Sequence, residues 1–275
     1  MSLTNDFVTC QMIGRIGNQM FQIAHGLNQG LVHNRQFIAP RLETDVLQYK
    51  DNIFRNIDFA IDNTQTIPNA VRVESTFHYN KVEPVKDSPT VFVGFYQSEK
   101  YFKENSNHIK TIFGPTEEFI HRCLQKYPFI NDNVTVINVR RGDYLTQPEN
   151  HPVVTREVYL KCLELIPNVN KIMVISDDIP WCRDNFSVLN PVFCDYWNWE
   201  AMWCMSMCKN FVIANSTFSW WGAFLGEKED STVVLADTWF GPGVHSRGHF
   251  ENDIFKDNWL RVPSRYENGQ VLLKS

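Results

Sequence analysis

Short apolar segments alternate with helix-like segments along the second half of this chain. We predict four strands there, with four helices interspersed among them. The strands cover residues 134–139, 171–176, 211–214 and 232–236, and the helices cover 155–166, 180–186, 199–210 and 219–226. Because apolar strands that alternate with helices form a parallel sheet covered on both faces, the pattern predicts an α/β fold.

The first half opens with the same pattern. A strand is predicted at 7–13, a glycine-containing turn at 14–17 and a helix at 18–34, and a second strand and helix at 90–96 and 98–113. A chain of 275 residues exceeds the roughly 100–200 residues of one domain, so we expect two domains. Turn-forming residues at 127–133 place the boundary between domains 1–128 and 129–275.

Composition excludes several classes of protein. The chain has 26 Lys and Arg against 31 Asp and Glu, a formal net charge of -5, which disfavours general nucleic-acid binding. Its seven cysteines are scattered through apolar segments, as is typical of a reducing compartment. No signal-peptide pattern is seen at the start and no apolar run approaches ~20 residues, so we expect a cytoplasmic protein without a membrane span.

Polar clusters follow four of the predicted strands, at 14–18, 140–143, 176–178 and 215–219. In doubly wound sheets, ligands bind beyond the carboxyl ends of the strands. Arg140 and Arg141 can grip a phosphate or carboxylate with paired hydrogen bonds. An isolated arginine pair of this kind would more simply pair with Asp143, but the three neighbouring clusters favour an anionic ligand.

Each of the other clusters has a functional and a structural interpretation. The hydroxyls that follow Asn215 stand where a strand turns into a helix, where they could bind phosphate or cap the helix. Asp177 and Asp178 could accept hydrogen bonds from a nucleoside or cap the next helix. The glycine turn is not G-x-G-x-x-G, which disfavours a dinucleotide cofactor.

Metal binding is disfavoured by the sequence. There is no D-x-D triplet and no Walker A motif, and Cys204 and Cys208 lie four residues apart in an apolar helix, where core packing is the better explanation. We therefore expect neither a metal nor a cofactor, and protein cations and amides would neutralise any bound diphosphate.

Four segments together resemble the α-1,2-fucosyltransferases of glycosyltransferase family 11. They are GRIGNQMFQIAHG, NVRRGDYL, ISDD and CKNFVIANSTFSWWGAFLG, in the family's order. The resemblance implies a GT-B-type enzyme with two Rossmann-like domains facing a central cleft, the N-terminal one on the acceptor side and the C-terminal one binding the GDP-sugar. It also implies transfer of L-fucose from GDP-β-L-fucose, with inversion and without a required metal, to the 2-hydroxyl of a β-galactoside glycan.

The same resemblance implies roles for individual residues. Arg140 would contact the β-phosphate of the donor. Asn138 stands where the family commonly has histidine, and it cannot titrate near neutral pH. The implied donor-site residues are Arg15, Gly17, Asn18, Asn138, Arg140, Arg141, Asp177, Asp178, Asn215, Ser216, Thr217 and Ser219.

The sequence does not identify the general base. Asp143 lies in the arginine loop and His25 on the first helix, and both are candidates for catalysis alongside Arg140, while Glu43 and Asp45 are weaker ones. Two rival hypotheses also stay open. The chain could be a non-catalytic nucleotide-sugar-binding protein, or a transferase that uses another nucleotide sugar or acceptor.

Overall fold

The computed structural model describes residues 6–40, 48–61 and 70–274. The chain forms two compact units. The first consists of Met1–Gly114 with Asn252–Lys256, and the second of Pro115–Glu251 with Asp257–Ser275. Both units are α/β with parallel principal sheets, as the alternating pattern predicts.

The first unit is built on a four-stranded parallel sheet with the order β2-β1-β6-β5. Strands β3 and β4 form a separate parallel pair. The strands are β1 Phe7–Cys10, β2 Gln36–Phe37, β3 Ala39–Pro40, β4 Phe59–Ile61, β5 Ala70–Val73 and β6 Thr90–Val93. The α-helices are Ile16–Val32 and Ser106–Phe113, and 3-10 turns cover Glu99–Tyr101 and Lys103–Asn105.

The first strand is shorter than the apolar run suggests. It ends at Cys10, and the chain then turns into the helix Ile16–Val32 through Gly14, whose φ of 75° suits glycine. The backbone N–H of Ile13 donates to Gln22 Oε1 at 3.0 Å and its carbonyl accepts from Gln22 Nε2 at 3.2 Å. The helix therefore satisfies these backbone groups in place of a neighbouring strand.

The second unit contains a six-stranded parallel sheet with the order β10-β9-β7-β11-β12-β13. A smaller sheet joins strands in the order β14-β15-β8. The strands are β7 Val134–Val139, β8 Val153–Val154, β9 Lys171–Ser176, β10 Val192–Phe193, β11 Asn210–Ile213, β12 Val233–Ala236, β13 Leu260–Val262, β14 Ser264–Glu267 and β15 Gln270–Leu273. The α-helices are Glu117–Lys126, Arg156–Leu163, Ile179–Phe186, Asn198–Ser206, Thr217–Gly226 and Pro242–His245.

The two units meet in sequence at Gly114 and Pro115, earlier than the predicted boundary at residues 128 and 129. The intervening helix Glu117–Lys126 belongs to the second unit because its apolar face packs there. The Phe119 ring lies 5.3 Å from the ring of Trp203, and Cys123 Sγ lies 3.8 Å from Cys204 Sγ. All seven cysteines are buried and free.

Candidate functional site

The carboxyl ends of three adjacent strands bring most of the predicted site residues together. Strand β7 lies between β9 and β11, and all three run parallel. The arginine loop that follows β7 therefore lies between the aspartates that follow β9 and the Asn215 turn that follows β11. This is the edge at which open α/β sheets bind ligands.

Arg140 is held between two carboxylates. Its Nη2 lies 2.5 Å from Asp143 Oδ1 and its Nη1 lies 2.8 Å from Asp177 Oδ2. The Arg140 side chain is mostly buried, and its Nε makes no hydrogen bond to any described residue. The two carboxylates therefore orient the guanidinium without satisfying all of its donors.

Arg141 is engaged by a separate set of contacts. Its Nε lies 3.0 Å from Asp178 Oδ2, and its guanidinium carbon lies 4.2 Å from the centre of the Trp181 ring. Its backbone N–H donates to Asp177 Oδ1 at 2.9 Å. Packing and pairing thus hold Arg141 within the loop, and a direct contact between Arg141 and the donor stays a prediction.

The two aspartates that follow β9 each form an ion pair with one of the arginines. Asp177 bridges Arg140 and the backbone of Arg141. Asp178 pairs with Arg141 and caps the next helix by accepting the N–H of Trp181 at 3.1 Å. The sequence left a nucleoside contact and a helix cap open. The structure shows the cap at Asp178, and a nucleoside contact of Asp177 or Asp178 stays a prediction.

Glycine is required in this loop by a close approach. A Cβ built on Gly142 would lie 2.5 Å from Asp177 Oδ2, which is closer than any normal contact. The absence of a side chain therefore allows the loop to lie directly against the aspartate that orients Arg140.

Two of the predicted donor contacts are too buried for that role. Asn138 is 4% exposed and Ser219 is fully buried. The Ser219 hydroxyl donates to Asn138 Oδ1, and Asn138 Nδ2 donates to the Ile175 carbonyl at 3.2 Å. We correct their assignment: they join helix Thr217–Gly226 to strands β7 and β9 beneath the site.

Asn215 also has a supporting position. It is 3% exposed, and its Nδ2 donates to the carbonyls of Pro152 at 3.0 Å and Trp239 at 2.9 Å. Its own carbonyl accepts the Tyr144 hydroxyl at 2.9 Å. Asn215 thus connects the segments that carry Tyr144, Pro152 and Trp239 at the edge of the sheet.

The helix that follows β11 presents its N-terminus at this edge. Ser216 occupies the N-cap position, yet its side chain makes no capping hydrogen bond to the helix. Helix Thr217–Gly226 has ten residues, enough for a substantial dipole. Backbone amides in the first turn of such a helix bind anions, so Ser216 and Thr217 stand where a phosphate could be bound.

Tyr144 and His151 belong to the same site, although no sequence motif indicates them. The Tyr144 ring lies 5.4 Å from the Arg140 guanidinium carbon and stacks on His151 with ring centroids 4.9 Å apart. Burial raises the pKa of Tyr144 to about 12, so its hydroxyl stays protonated. No spacing rule would find His151, because a loop that folds back brings it to the site.

The glycine turn of the first unit has its own hydrogen-bond pattern. Arg15 is an exposed residue at the N-cap of helix Ile16–Val32, whereas Gly17 is buried. Asn18 Oδ1 accepts from Gln97 Nε2 at 3.0 Å. Roles of Arg15, Gly17 and Asn18 in binding a donor stay predictions.

His25 is removed from the candidate bases by its surroundings. It is fully buried and stacks on Tyr96 with ring centroids 4.0 Å apart. Burial lowers the pKa of His25 to about 3. Glu43 and Asp45, the weaker candidates, lie outside the described residues.

Across residues 6–40, 48–61 and 70–274, no group of three or more His, Cys, Asp or Glu side chains could hold a metal ion. Within the same described part of the chain, no helix is both long and apolar enough to cross a membrane.

Parallel sheets with cationic and helix N-terminal groups at their carboxyl edge define a Rossmann-like α/β protein. The chain belongs to glycosyltransferase family 11, because the sequence model of Glycosyl transferase family 11 matches residues 2–263. The family expectation drawn from the four segments is thereby confirmed.

Two Escherichia coli proteins are similar in sequence. An alpha-1,2-colitosyltransferase is 29% identical over 93% of this chain and 98% of its own length. The O-antigen biosynthesis glycosyltransferase WbnK is 32% identical over 65% of this chain. That second alignment spans 62% of WbnK.

A solved structure confirms the GT-B fold class. NodZ alpha-1,6-fucosyltransferase, co-crystallized with GDP, superposes with a TM-score of 0.53 at 11% identity. The match covers 81% of this chain and 93% of NodZ, a protein from Bradyrhizobium.

Proposed function

We propose that this chain is an inverting α-1,2-fucosyltransferase that moves L-fucose from GDP-β-L-fucose to the 2-hydroxyl of a β-galactoside glycan. Membership of glycosyltransferase family 11 supports the reaction class. NodZ, whose fold is similar, has been crystallized with GDP and soaked with GDP-fucose. The observation that carries the proposal is the oriented Arg140 guanidinium at the end of β7, beside the N-terminus of helix Thr217–Gly226.

The proposed role of Arg140 is to stabilise the departing nucleotide. As the bond from the anomeric carbon to GDP breaks, negative charge grows on the β-phosphate oxygen. A donor already aimed at that oxygen stabilises the transition state more than the ground state. Asp143 and Asp177 hold the guanidinium at 2.5 and 2.8 Å, so Arg140 needs little reorganisation when the bond breaks.

The other donor contacts follow from the same edge of the sheet. Ser216, Thr217 and the first-turn amides would bind the phosphates, and Arg141 would hold the loop that carries Arg140. Arginine and amide groups would neutralise the diphosphate, so the proposed transfer requires no metal ion. Because no metal ion is required, we expect EDTA to have no effect on turnover.

A second donor sugar is favoured by one comparison. The relative that aligns along 93% of this chain is an alpha-1,2-colitosyltransferase. The diphosphate contacts proposed above would serve a GDP-linked colitosyl donor equally, because they do not touch the sugar. Donor choice therefore has to be decided by turnover with each sugar.

The first experiment measures nucleotide preference. Thermal unfolding is followed with GDP, UDP and ADP, each with and without EDTA. A ligand at a hundredfold excess over its dissociation constant stabilises the protein by about 2.7 kcal/mol. We expect stabilisation by GDP, weaker effects from UDP and ADP, and no change on adding EDTA.

The second experiment measures transfer from GDP-fucose to lactose. Arg140→Ala is expected to lower kcat by about 10²–10³-fold. Arg265→Ala is the matched control, because Arg265 is exposed on β14 and pairs with Glu267 at 3.0 Å. If Arg140→Ala kept kcat within threefold of wild type, the role of Arg140 would be wrong. Stabilisation by GDP without transfer of fucose or colitose would favour a non-catalytic nucleotide-sugar-binding protein.

A further inference from the structure

The proposed transfer needs a group that accepts the proton of the attacking hydroxyl. Three carboxylates lie at the site, and each of them contacts an arginine side chain at 2.5–3.0 Å. These contacts engage oxygens of Asp143, Asp177 and Asp178 in holding the two arginines in place.

His151 is a titratable group of the same site that no arginine pairs with. It lies in the loop that precedes β8, stacked on Tyr144 with an interplanar angle of 20°. Its ring is half-buried, and among the described residues neither ring nitrogen has a hydrogen-bond partner. No described protein group therefore competes with a ligand for the ring nitrogens of His151.

The burial and charges around His151 lower its pKa. Burial lowers its pKa, and the charges of Arg140 and Arg247 lower it further, while the charge of Asp143 acts in the opposite direction. The balance puts the pKa of His151 below its ordinary value of about 6.5. A neutral imidazole has one ring nitrogen that can accept a proton.

The loop that carries His151 is fixed by backbone contacts. The Gly241 N–H donates to the Asn150 carbonyl at 3.0 Å, and the Gly243 N–H donates to the Glu149 carbonyl at 2.8 Å. A Cβ on Gly241 would lie 2.4 Å from the Glu149 carbonyl oxygen, so the close contact depends on glycine. A catalytic group needs such rigid support to keep a fixed position relative to its substrate.

We propose that His151 is the general base of the reaction, an inference that rests on the proposed function. A ring nitrogen of His151 takes the proton of the acceptor hydroxyl as that oxygen forms its bond to the anomeric carbon. The bond between the anomeric carbon and the β-phosphate oxygen breaks, and its electron pair leaves with GDP. The proton then passes from His151 to water, so the step releases GDP, the fucosylated acceptor and one proton.

The test uses the full-length His151→Gln variant, in which an amide replaces the titrating ring. His121→Gln is the matched control, since His121 is exposed on helix Glu117–Lys126 and contacts Gln125. Transfer from GDP-fucose to lactose is measured from pH 5 to 9, and the GDP dissociation constant by calorimetry. We expect His151→Gln to lower kcat by about 10²-fold or more, and to leave the GDP dissociation constant within threefold.

The pH profile separates a base from a structural residue. In wild type and His121→Gln, kcat/KM should fall at acidic pH, on the acid side of the ordinary histidine pKa, because His151 becomes protonated there. His151→Gln should lose this acidic limb. If the variant kept both the limb and at least a third of the wild-type kcat, the inference would be overturned. A tenfold weaker GDP affinity with unchanged kcat would also overturn it, and would assign His151 to donor binding.

A second measurement on the wild-type protein does not depend on turnover. The His151 imidazole signal is identified by NMR through its loss in His151→Gln, and it is titrated without substrate. We expect a pKa below about 6.5. A pKa above 7.5 would leave His151 protonated at neutral pH and would refute its role as a base. Failure of all transfer in wild type, with this NMR result intact, would count against the proposed function alone.

Discussion

Asp177 offers the sharpest test of how the site is organised. Asp177→Asn removes the ion pair to Arg140 at 2.8 Å but keeps an oxygen for the Arg141 N–H. Breaking a fully buried ion pair costs about 3–5 kcal/mol, whereas an exposed pair contributes about 0–1 kcal/mol. Asp177 is 12% exposed and Arg140 is 19% exposed, and Asp143 still holds Arg140. We therefore expect the free energy of unfolding to fall by about 2 kcal/mol, which lowers Tm by about 4–8 °C.

Catalysis and donor binding should respond differently to this change. Arg140 loses one of the two carboxylates that orient it, so we expect kcat to fall about tenfold, or about 1.4 kcal/mol. Its charge is less neutralised, so GDP should bind as tightly as in wild type or more tightly. Thermal unfolding, GDP calorimetry and turnover are measured beside Asp184→Asn, an exposed aspartate on helix Ile179–Phe186. An unchanged kcat and Tm, or a GDP affinity weakened tenfold, would refute the assignment.

Three further predictions concern residues that support the two units. Asn138→Ala and Ser219→Ala should each destabilise the protein by about 1–3 kcal/mol, and the double variant by clearly less than their sum in a denaturant cycle. Gly142→Ala should lower kcat as Asp177→Asn does, because its Cβ would lie 2.5 Å from Asp177 Oδ2. His25→Phe should remove acid sensitivity: the pKa of His25 is lowered to about 3 in the folded protein, so stability falls as pH drops below about 6.5. Near pH 5 this cost is about 2 kcal/mol, and equal pH dependence in wild type and variant would contradict it.

The long strands of the second unit were predictable because each contains at least four consecutive buried residues. Strands β7 and β9 have the predicted bounds, at Val134–Val139 and Lys171–Ser176. Two-residue strands such as Val192–Phe193 were not predictable, because their pairing depends on a neighbouring strand. The predicted helix at 199–210 ends at Ser206, and strand β11 begins at Asn210, where Asn210 Oδ1 accepts the Thr232 N–H at 3.0 Å.

The site was predictable to the extent that strand ends meet at one edge. That rule brought the arginine loop, the aspartates and the Ser216 turn together. Neither that rule nor the family resemblance could say which way a side chain points. The resemblance therefore assigned Asn138 to the donor, although it is buried against Ser219. That rule also could not find His151, whose place depends on the backbone contacts of Gly241 and Gly243.

We propose that the leaving diphosphate lies between Arg140 and the N-terminus of helix Thr217–Gly226. A crystal structure with GDP tests this most directly. We predict β-phosphate oxygens within roughly 2.7–3.2 Å of the Arg140 guanidinium and of a first-turn amide of that helix. A diphosphate bound elsewhere, with Arg140 contacting Asp143 and Asp177 alone, would contradict it.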